Sequence, residues 1–142
     1  MPTIKSFEDL KIWKDSRVFV KEIYIIVNNF PAKENYGLTS QVTRAAVSIM
    51  SNIAEGFARE SNKEFIRFLI MARGSTAEVQ SDLFIALDLK YINQKEFQST
   101  YYQAEKLGKQ INGLIKYLKA NVKINSQKDK INESWESYEL TN

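Results

Sequence analysis

The segment Ala45–Gly56, AAVSIMSNIAEG, constrains the fold more than any other part of this sequence. Its apolar residues recur at helical spacing, yet it holds a single charged residue, Glu55. A helix on the surface of a small protein normally carries a charged face opposite its apolar stripe. We therefore expect a helix that is covered on more than one side, in a protein whose assembly matters more than its chemistry.

The composition excludes several classes of enzyme. The chain has 142 residues, which predicts one domain, and it contains neither cysteine nor histidine. This excludes disulfides, thiol nucleophiles and cysteine-ligated metals. It also excludes a Ser-His-Asp triad and the Glu-x-x-His ligands of a di-iron bundle. No Gly-rich phosphate loop is present, so we expect no enzymatic activity, no metal and no cofactor.

Carboxylates do occur at helical spacing, and they are the nearest approach to a catalytic pair. Glu60 precedes Glu64, and Glu78 precedes Asp82, in each case by four residues. Neither pair lies on an otherwise apolar helix face. We therefore interpret all four as solvated helix charges.

The net charge is +3, which hints only weakly at a polyanionic partner. The N-terminal sequence MPTIKSFEDLKIW carries charges throughout, unlike a signal peptide. No apolar run approaches the length that spans a bilayer. We expect a cytoplasmic protein with no membrane contact.

Capping residues and periodicity predict four helices. The first follows Ser6 and ends before Pro31, and the second runs from Leu38 or Thr39 to Glu55, with Gly56 as its stop. The third follows Ser61 and reaches about Lys90, and the fourth opens at Asn93. Four helices with short connections predict an all-α fold, an antiparallel up-down four-helix bundle.

The composition changes near residue 121, which divides the chain into a bundle (1–120) and a polar C-terminal tail (121–142). Ile131, Trp135 and Tyr138 of the tail have helical spacing. Two interpretations remain open. The tail is either flexible and mostly disordered, which the polar composition favours, or a short docking helix that touches a neighbour.

The second predicted helix has two apolar sides. Five residues form the side that suits the bundle core: Leu38, Val42, Ala46, Ile49 and Ile53. A second patch of Val47, Met50 and Ala54 lies well away from it. A second apolar patch on a small protein usually marks an interaction surface. We predict an oligomer interface there; burial under the third helix and the chain around Phe57 is the alternative.

A polar seam runs between these sides and consists of Gln41, Arg44, Ser48, Asn52 and Glu55. A buried charge without a partner is costly, so we expect partners for Arg44 and Glu55 on the third helix or on another protomer. Gly74-Ser75 lies within the third helix, where glycine costs about 1 kcal/mol relative to alanine. We expect this glycine to permit close approach to Ala45 and Ser48, unless it is a neutral surface glycine. Glu78, one turn further, is a candidate partner for an arginine.

Two sets of residues are candidates for nucleic-acid binding. The lysine face of the fourth helix comprises Lys95, Tyr102, Lys106, Lys109 and Lys116. The arginine cluster at the start of the third helix comprises Arg59, Lys63 and Arg67. Basic side chains with an aromatic among them can line a phosphate backbone. An ordinary solvated helix face is the alternative.

Three segments carry a family resemblance: SFEDLKIWKDS, FPAKENYGLTSQVTRAAVSIMSNIAEG and FLIMARGSTAEVQSDL. They resemble the four-helix-bundle proteins encoded in intervening sequences of bacterial 23S ribosomal RNA genes, also called the S23 ribosomal protein family. That family is similar to the accessory variability determinant of diversity-generating retroelements. The match covers residues 6–118. Thr43 departs from it, because family members often have a basic residue at this position.

The resemblance implies a homopentameric ring of four-helix bundles without enzymatic activity. The second apolar patch then becomes a protomer contact. The motif residues are expected to form an architectural polar network, not a ligand site; they are Gln41, Arg44, Asn52, Glu55 and Glu78.

These observations support two hypotheses of different classes. The first is a non-catalytic oligomeric bundle that binds structured RNA, or an RNA–protein complex, through its basic surface. The second is a protein-binding scaffold or adaptor ring without a nucleic-acid role. Convergence of the basic residues on one surface favours the first hypothesis, and pairing of these residues with carboxylates favours the second.

Overall fold

The computed structural model describes residues 4–124, and in this range it contains four α-helices and no β-strand. The helices are α1 (Lys11–Ile26), α2 (Leu38–Ala58), α3 (Asn62–Asp88) and α4 (Gln94–Ile124). Short 3-10 turns span Phe7–Asp9, Val27–Asn29 and Ala32–Glu34. The predicted all-α four-helix bundle is confirmed.

The predicted starts of α3 and α4 are confirmed by their capping hydrogen bonds. The Ser61 hydroxyl accepts the Glu64 N–H at 3.3 Å. At α4 the exchange is reciprocal: Asn93 Oδ1 accepts the Glu96 N–H at 2.8 Å, and Glu96 Oε1 accepts the Asn93 N–H at 3.0 Å. These side chains satisfy donors that the first helical turn leaves without partners.

The first helix begins later than predicted. The Asp9 carboxylate does accept the N–H groups of Lys5 and Ser6, at 2.9 and 3.3 Å. These hydrogen bonds hold the pKa of Asp9 below its usual range. They stabilise only a 3-10 turn, because Leu10 adopts an extended conformation before α1 starts at Lys11.

The predicted end of α2 at Gly56 is wrong, since the helix continues to Ala58. Gly56 is instead the point where α2 lies closest to α3. A Cβ atom at this position would lie 2.5 Å from the Cβ atom of Phe68 and 3.1 Å from a ring carbon of Phe65. The connection turns at Glu60, whose φ of 57° is left-handed.

The predicted close approach at Gly74 is also wrong. A Cβ atom at Gly74 would meet no heavy atom within 4 Å. The close contact between helices occurs at Gly108 of α4, where an added Cβ atom would lie 3.2 Å from the Thr76 hydroxyl of α3. Gly74 is therefore an exposed helical glycine on the described protomer.

The core lies between the four helices. α1 packs against α2 and α4, and α3 packs against the same two helices. The largest fully buried side chains include Leu10, Ile23, Ile49, Ile53, Phe65, Leu69, Leu83, Ile111, Leu114 and Leu118. α4 extends to Ile124, past the predicted boundary at residue 120; the rest of the predicted tail, 125–142, lies outside the described residues.

Candidate functional site

The core side of α2 is as predicted, because Leu38, Val42, Ala46, Ile49 and Ile53 are all buried. The residues of the predicted interface lie outside this core. Val47 is 37% exposed, and Met50 and Ala54 are half-buried. Within the described residues, α2 therefore keeps uncharged side chains that its own bundle leaves partly open to solvent.

The neighbouring helix α3 adds further exposed apolar side chains. We define the outer surface of α2 and α3 as Val47, Ile70, Met71 and Ile85, which are all exposed. By helical spacing, Ile70 and Ile85 lie on the same side of α3 as Gly74 and Ser81. An apolar surface of this kind is typical of a contact with another protein.

A cleft of about 760 Å³ lies beside this surface. Its lining includes Gln41, Arg44 and Ser48 of α2, Glu78 and Ile85 of α3, and Tyr36 of the preceding loop. Gln41, Arg44 and Glu78 are exposed. Residues 4–124 provide no hydrogen-bond or ion-pair partner for any of these three side chains.

In the described protomer, no hydrogen bond or ion pair joins two members of the predicted polar network to each other. The Asn52 amide donates to the Ser48 carbonyl and hydroxyl at 2.8 and 2.9 Å. The Ser75 hydroxyl lies 3.0 Å from the Ser48 hydroxyl and links α3 to α2. Glu55 pairs with Arg59 at 3.5 Å, one turn along its own helix. Asn52 and Glu55 thus bind neighbours outside the predicted set, and Gln41, Arg44 and Glu78 share the lining of the cleft.

A second group of hydrogen bonds at the cleft was not predicted. Glu34 Oε1 accepts the N–H of Leu38 at 3.1 Å, and Glu34 Oε2 accepts the Tyr91 hydroxyl at 2.8 Å. These bonds lower the pKa of Glu34, the backbone bond contributing most. Glu34 thereby joins the loop, the start of α2 and the α3–α4 connection. Its position four residues before Leu38 was the available signal, since carboxylates cap helix starts.

The interpretation of Asp82 as a solvated charge is wrong. Asp82 is only 4% exposed, and its Oδ2 atom has no hydrogen-bond partner among the described residues. Burial raises the pKa of Asp82 to about 6, and the charge of Glu78 adds to the effect. The burial of Asp82 could not be predicted from the sequence, because the i,i+4 spacing to exposed Glu78 is typical of a solvent face.

The arginine cluster is largely engaged by its own neighbours. Arg59 pairs with Glu55 at 3.5 Å and Arg67 pairs with Glu64 at 2.9 Å. Both guanidinium groups also lie over the Phe68 ring, at 5.2 and 4.6 Å from its centroid. Lys63 is exposed and makes no ion pair among the described residues. The cluster is therefore a partly neutralised surface.

The lysine face of α4 is more open. Its five members, Lys95, Tyr102, Lys106, Lys109 and Lys116, are all exposed. Lys109 pairs with Glu105 at 3.6 Å. In the described part of the chain, no hydrogen bond or ion pair engages Lys95, Lys106 or Lys116. Three cations and an exposed aromatic ring thus remain available on one side of a helix.

The two basic groups lie in different parts of the bundle. Lys95 and Lys106 line clefts between α4 and α1, whereas the arginine cluster lies at the connection of α2 and α3. No contact found within residues 4–124 joins the two groups.

In the range 4–124, no group of three or more acidic, histidine or cysteine side chains is placed to hold a metal ion. None of the described helices combines the length and the apolar character needed to cross a membrane.

The fold and these surfaces define a small helical-bundle protein with an open apolar side and a separate basic side. The family model described as 23S rRNA-intervening sequence protein matches residues 8–113. The chain therefore belongs to the 23S rRNA-intervening sequence protein family. The similarity to the accessory variability determinant of retroelements stays a prediction.

A solved structure supports the fold. It is the crystal structure, at 1.70 Å resolution, of a protein of unknown function from the S23 ribosomal protein family of Bacteroides thetaiotaomicron VPI-5482. The two chains are 23% identical, the TM-score is 0.67, and the alignment covers 74% of this chain and 98% of the other. The comparison with curated proteins gives no match.

Proposed function

We propose that the protein is a non-catalytic, homo-oligomeric bundle of the cytoplasm that binds structured RNA, or an RNA–protein complex, through the lysine face of α4. The observation that carries this proposal is the set of exposed, unpaired cations Lys95, Lys106 and Lys116 beside exposed Tyr102. Cations along a helix attract a phosphate backbone, and an exposed aromatic ring can stack on a base. The RNA-related name of the family is consistent with this function.

The arginine cluster has a smaller role in this proposal than the sequence suggests. Exposed ion pairs contribute about 0–1 kcal/mol, so Arg59 and Arg67 can exchange a carboxylate for a phosphate. Such an exchange contributes less to the free energy of RNA binding than a contact with an unpaired lysine, because the arginine loses its contact with the carboxylate. We therefore assign the main electrostatic contribution to α4.

Fluorescence anisotropy with a structured fragment of 23S ribosomal RNA tests the proposal, at low and at physiological salt. Binding should persist at physiological salt and weaken with a steep slope of log K against log [salt]. The Lys106→Glu and Lys109→Glu double variant should lose this binding. The matched control is the Lys33→Glu variant, which reverses an exposed charge in the loop before α2 and should retain it. Absence of binding at physiological salt would refute the RNA function.

The oligomeric part of the proposal depends on the outer surface of α2 and α3. We place a second copy of the chain on this surface, in a homopentameric ring of antiparallel up-down bundles. Exposed Val47 and the unpaired Arg44 and Glu78 of the adjacent cleft support a protein contact there. Two hydrogen bonds support the antiparallel arrangement of α1 and α4: Asp15, early in α1, accepts the Gln110 amide in the middle of α4 at 3.1 Å, and Asn29, just after α1, donates to Glu96 at the start of α4 at 3.2 Å. In a ring, each copy adds its lysine face to the binding surface.

A protein-binding scaffold or adaptor is the second candidate function. The pairing of Arg59, Arg67 and Lys109 with carboxylates three or four residues away in the sequence favours it. On this alternative the oligomer forms through α2 and α3, while RNA fails to bind at physiological salt. The anisotropy titration and the mass of the assembly together separate the two functions.

A further inference from the structure

Two clefts between α1 and α4 combine lysines with exposed aliphatic side chains. One has a volume of about 200 Å³ and contains Lys106 and Val18, and the other, of about 290 Å³, contains Lys95 and Ile25. Val18 is 61% exposed and Ile25 is 52% exposed. A purely electrostatic surface does not need such apolar groups, so the clefts suit a ligand that is both anionic and apolar.

Most carboxylates of these clefts are already engaged. Asp15 accepts the Gln110 amide at 3.1 Å and pairs with Lys11 at 3.6 Å. Glu96 caps α4 and also accepts the Asn29 amide at 3.2 Å. Among the described cleft residues, Glu22 is the carboxylate without such a partner. The charges that remain to attract a ligand are mainly the lysines.

The sequence after α4 has the complementary chemistry. From residue 131 to 142 it carries Glu133, Glu136 and Glu139 and no lysine or arginine. Apolar side chains alternate with these glutamates: Ile131, Trp135, Tyr138 and Leu140. Such a segment offers carboxylates to Lys95 and Lys106, and aromatic rings to the exposed aliphatic groups.

The length of this segment permits contact with the clefts of its own chain. α4 ends at Ile124, and Lys106 lies about 27 Å back along the helix at about 1.5 Å per residue. Trp135 follows Ile124 by eleven residues, and an extended chain of that length spans about 36 Å. The segment can therefore reverse direction after α4 and reach the level of Lys106 and Val18.

We propose that residues 131–142 dock on the α1–α4 clefts of their own chain and compete with polyanions for the lysine face of α4. The docking itself does not require RNA to be the ligand; the competition rests on the proposed function. Docked glutamates would neutralise the lysines that otherwise bind phosphate. Free RNA would then bind only the fraction of molecules whose clefts are open, which weakens its apparent affinity.

Distances between two spin labels on the full-length chain test the docking. The chain contains no cysteine, so a Gln98→Cys and Ser137→Cys variant carries labels on α4 and on the segment alone. Mixing with excess unlabelled chain restricts the measurement to one molecule. We expect a short, narrow distance distribution that broadens in the additional presence of Lys95→Glu and Lys106→Glu. The matched pair, Ser81→Cys on α3 with Ser137→Cys, should give longer distances.

A broad Gln98→Cys to Ser137→Cys distribution that these charge reversals leave unchanged would overturn the docking. So would a shorter distance to position 81 than to position 98. Neither result depends on RNA.

The competition is tested by removing the apolar anchors without changing the charge. The Trp135→Ser and Tyr138→Ser double variant should raise RNA affinity about three- to tenfold if the docked state holds about 70–90% of the molecules. The control variant Tyr24→Ser removes an exposed aromatic ring of α1 that lies outside both clefts, and it should leave the affinity unchanged.

The two proposals fail in distinguishable ways. A short distance between the labels at positions 98 and 137, on a chain that does not bind RNA, would refute the RNA function and leave the docking intact. RNA binding that the Trp135→Ser and Tyr138→Ser variant does not strengthen would refute the competition.

Discussion

The outer surface of α2 and α3 is largely apolar, whereas the lysine face of α4 is charged and well hydrated. The first surface presents Val47, Ile70 and Ile85 beside the unpaired polar groups of a cleft. The second presents Lys95, Lys106 and Lys116, which water and ions solvate well. Apolar surface gains about 25 cal/mol per Å² when a partner covers it, whereas lysines lose hydration on burial. This difference is the basis of the proposal that the first surface binds a second copy of the chain and the second binds RNA.

The largest effect on stability is expected at Gly56, where α2 packs closely against α3 and so positions their outer surface. Gly56→Ala places a Cβ atom 2.5 Å from the Cβ atom of Phe68, so the helices must separate. We expect a loss of about 2–3 kcal/mol in the free energy of unfolding, measured by urea titration with circular dichroism. Gly74→Ala is the matched control; its site is open, and it should gain about 1 kcal/mol from helix propensity. Equal effects at the two glycines would contradict the contact at Gly56.

The second prediction compares one added charge on the outer surface of α2 and α3 with the same charge on α1. Val47→Glu should dissociate the oligomer while the protomer stays folded, because the side chain is already 37% exposed. Light scattering gives the mass, and circular dichroism gives the helix content. Val18→Glu places the same charge on exposed α1 and should leave the mass unchanged. Complete unfolding by Val47→Glu would show instead that Val47 belongs to the core.

The third prediction concerns the buried carboxylate of α3. Asp82 has a pKa near 6 in the folded chain, against 3.8 when unperturbed. Its charged form is therefore disfavoured by folding, so the stability cost is present above pH 6 and disappears below pH 3.8. Asp82→Asn should raise the free energy of unfolding at pH 7 by about 1–3 kcal/mol.

Urea titrations at pH 7 and pH 4 check the prediction for Asp82, since the gain should shrink at the lower pH. Asp88→Asn, an exposed change on the same helix, should alter stability by less than about 0.5 kcal/mol. A gain of equal size at both pH values would show that the carboxylate charge is not its cause.

The smallest expected effect compares free and paired cations. Lys106→Gln removes an unpaired charge and should lower the slope of log K against log [salt] for RNA binding by about 1. Arg67→Gln removes a cation that Glu64 already holds at 2.9 Å, so its effect on the slope should be smaller. Anisotropy titrations over a series of salt concentrations measure both. A larger effect of Arg67→Gln than of Lys106→Gln would show that the arginine cluster contributes more to RNA binding than the lysine face of α4.

The sequence predicted the features that depend on local spacing. The caps at Ser61 and Asn93 marked the starts of α3 and α4, because their hydrogen bonds join residues three apart. The buried side of α2 followed from the helical period. The same period placed Val47 outside the core.

The features that the sequence did not predict depend on the distance between helices. Gly56 resembles a helix stop, and only the nearness of Phe68 shows that it permits close packing. The burial of Asp82 requires knowledge of how α3 is rotated against its neighbours. The rotamers that pair Arg59 and Arg67 with glutamates on their own helices were also beyond the sequence pattern, which marks both arginines simply as basic.

The most direct test of whether the two surfaces bind different partners is size-exclusion chromatography with light scattering. The sample is the full chain mixed with the 23S ribosomal RNA fragment at physiological salt. We expect one peak that contains RNA together with about five chains of 16.4 kDa each. A protein peak at 16.4 kDa, separate from the RNA, would contradict both the assembly through α2 and α3 and the RNA binding through α4.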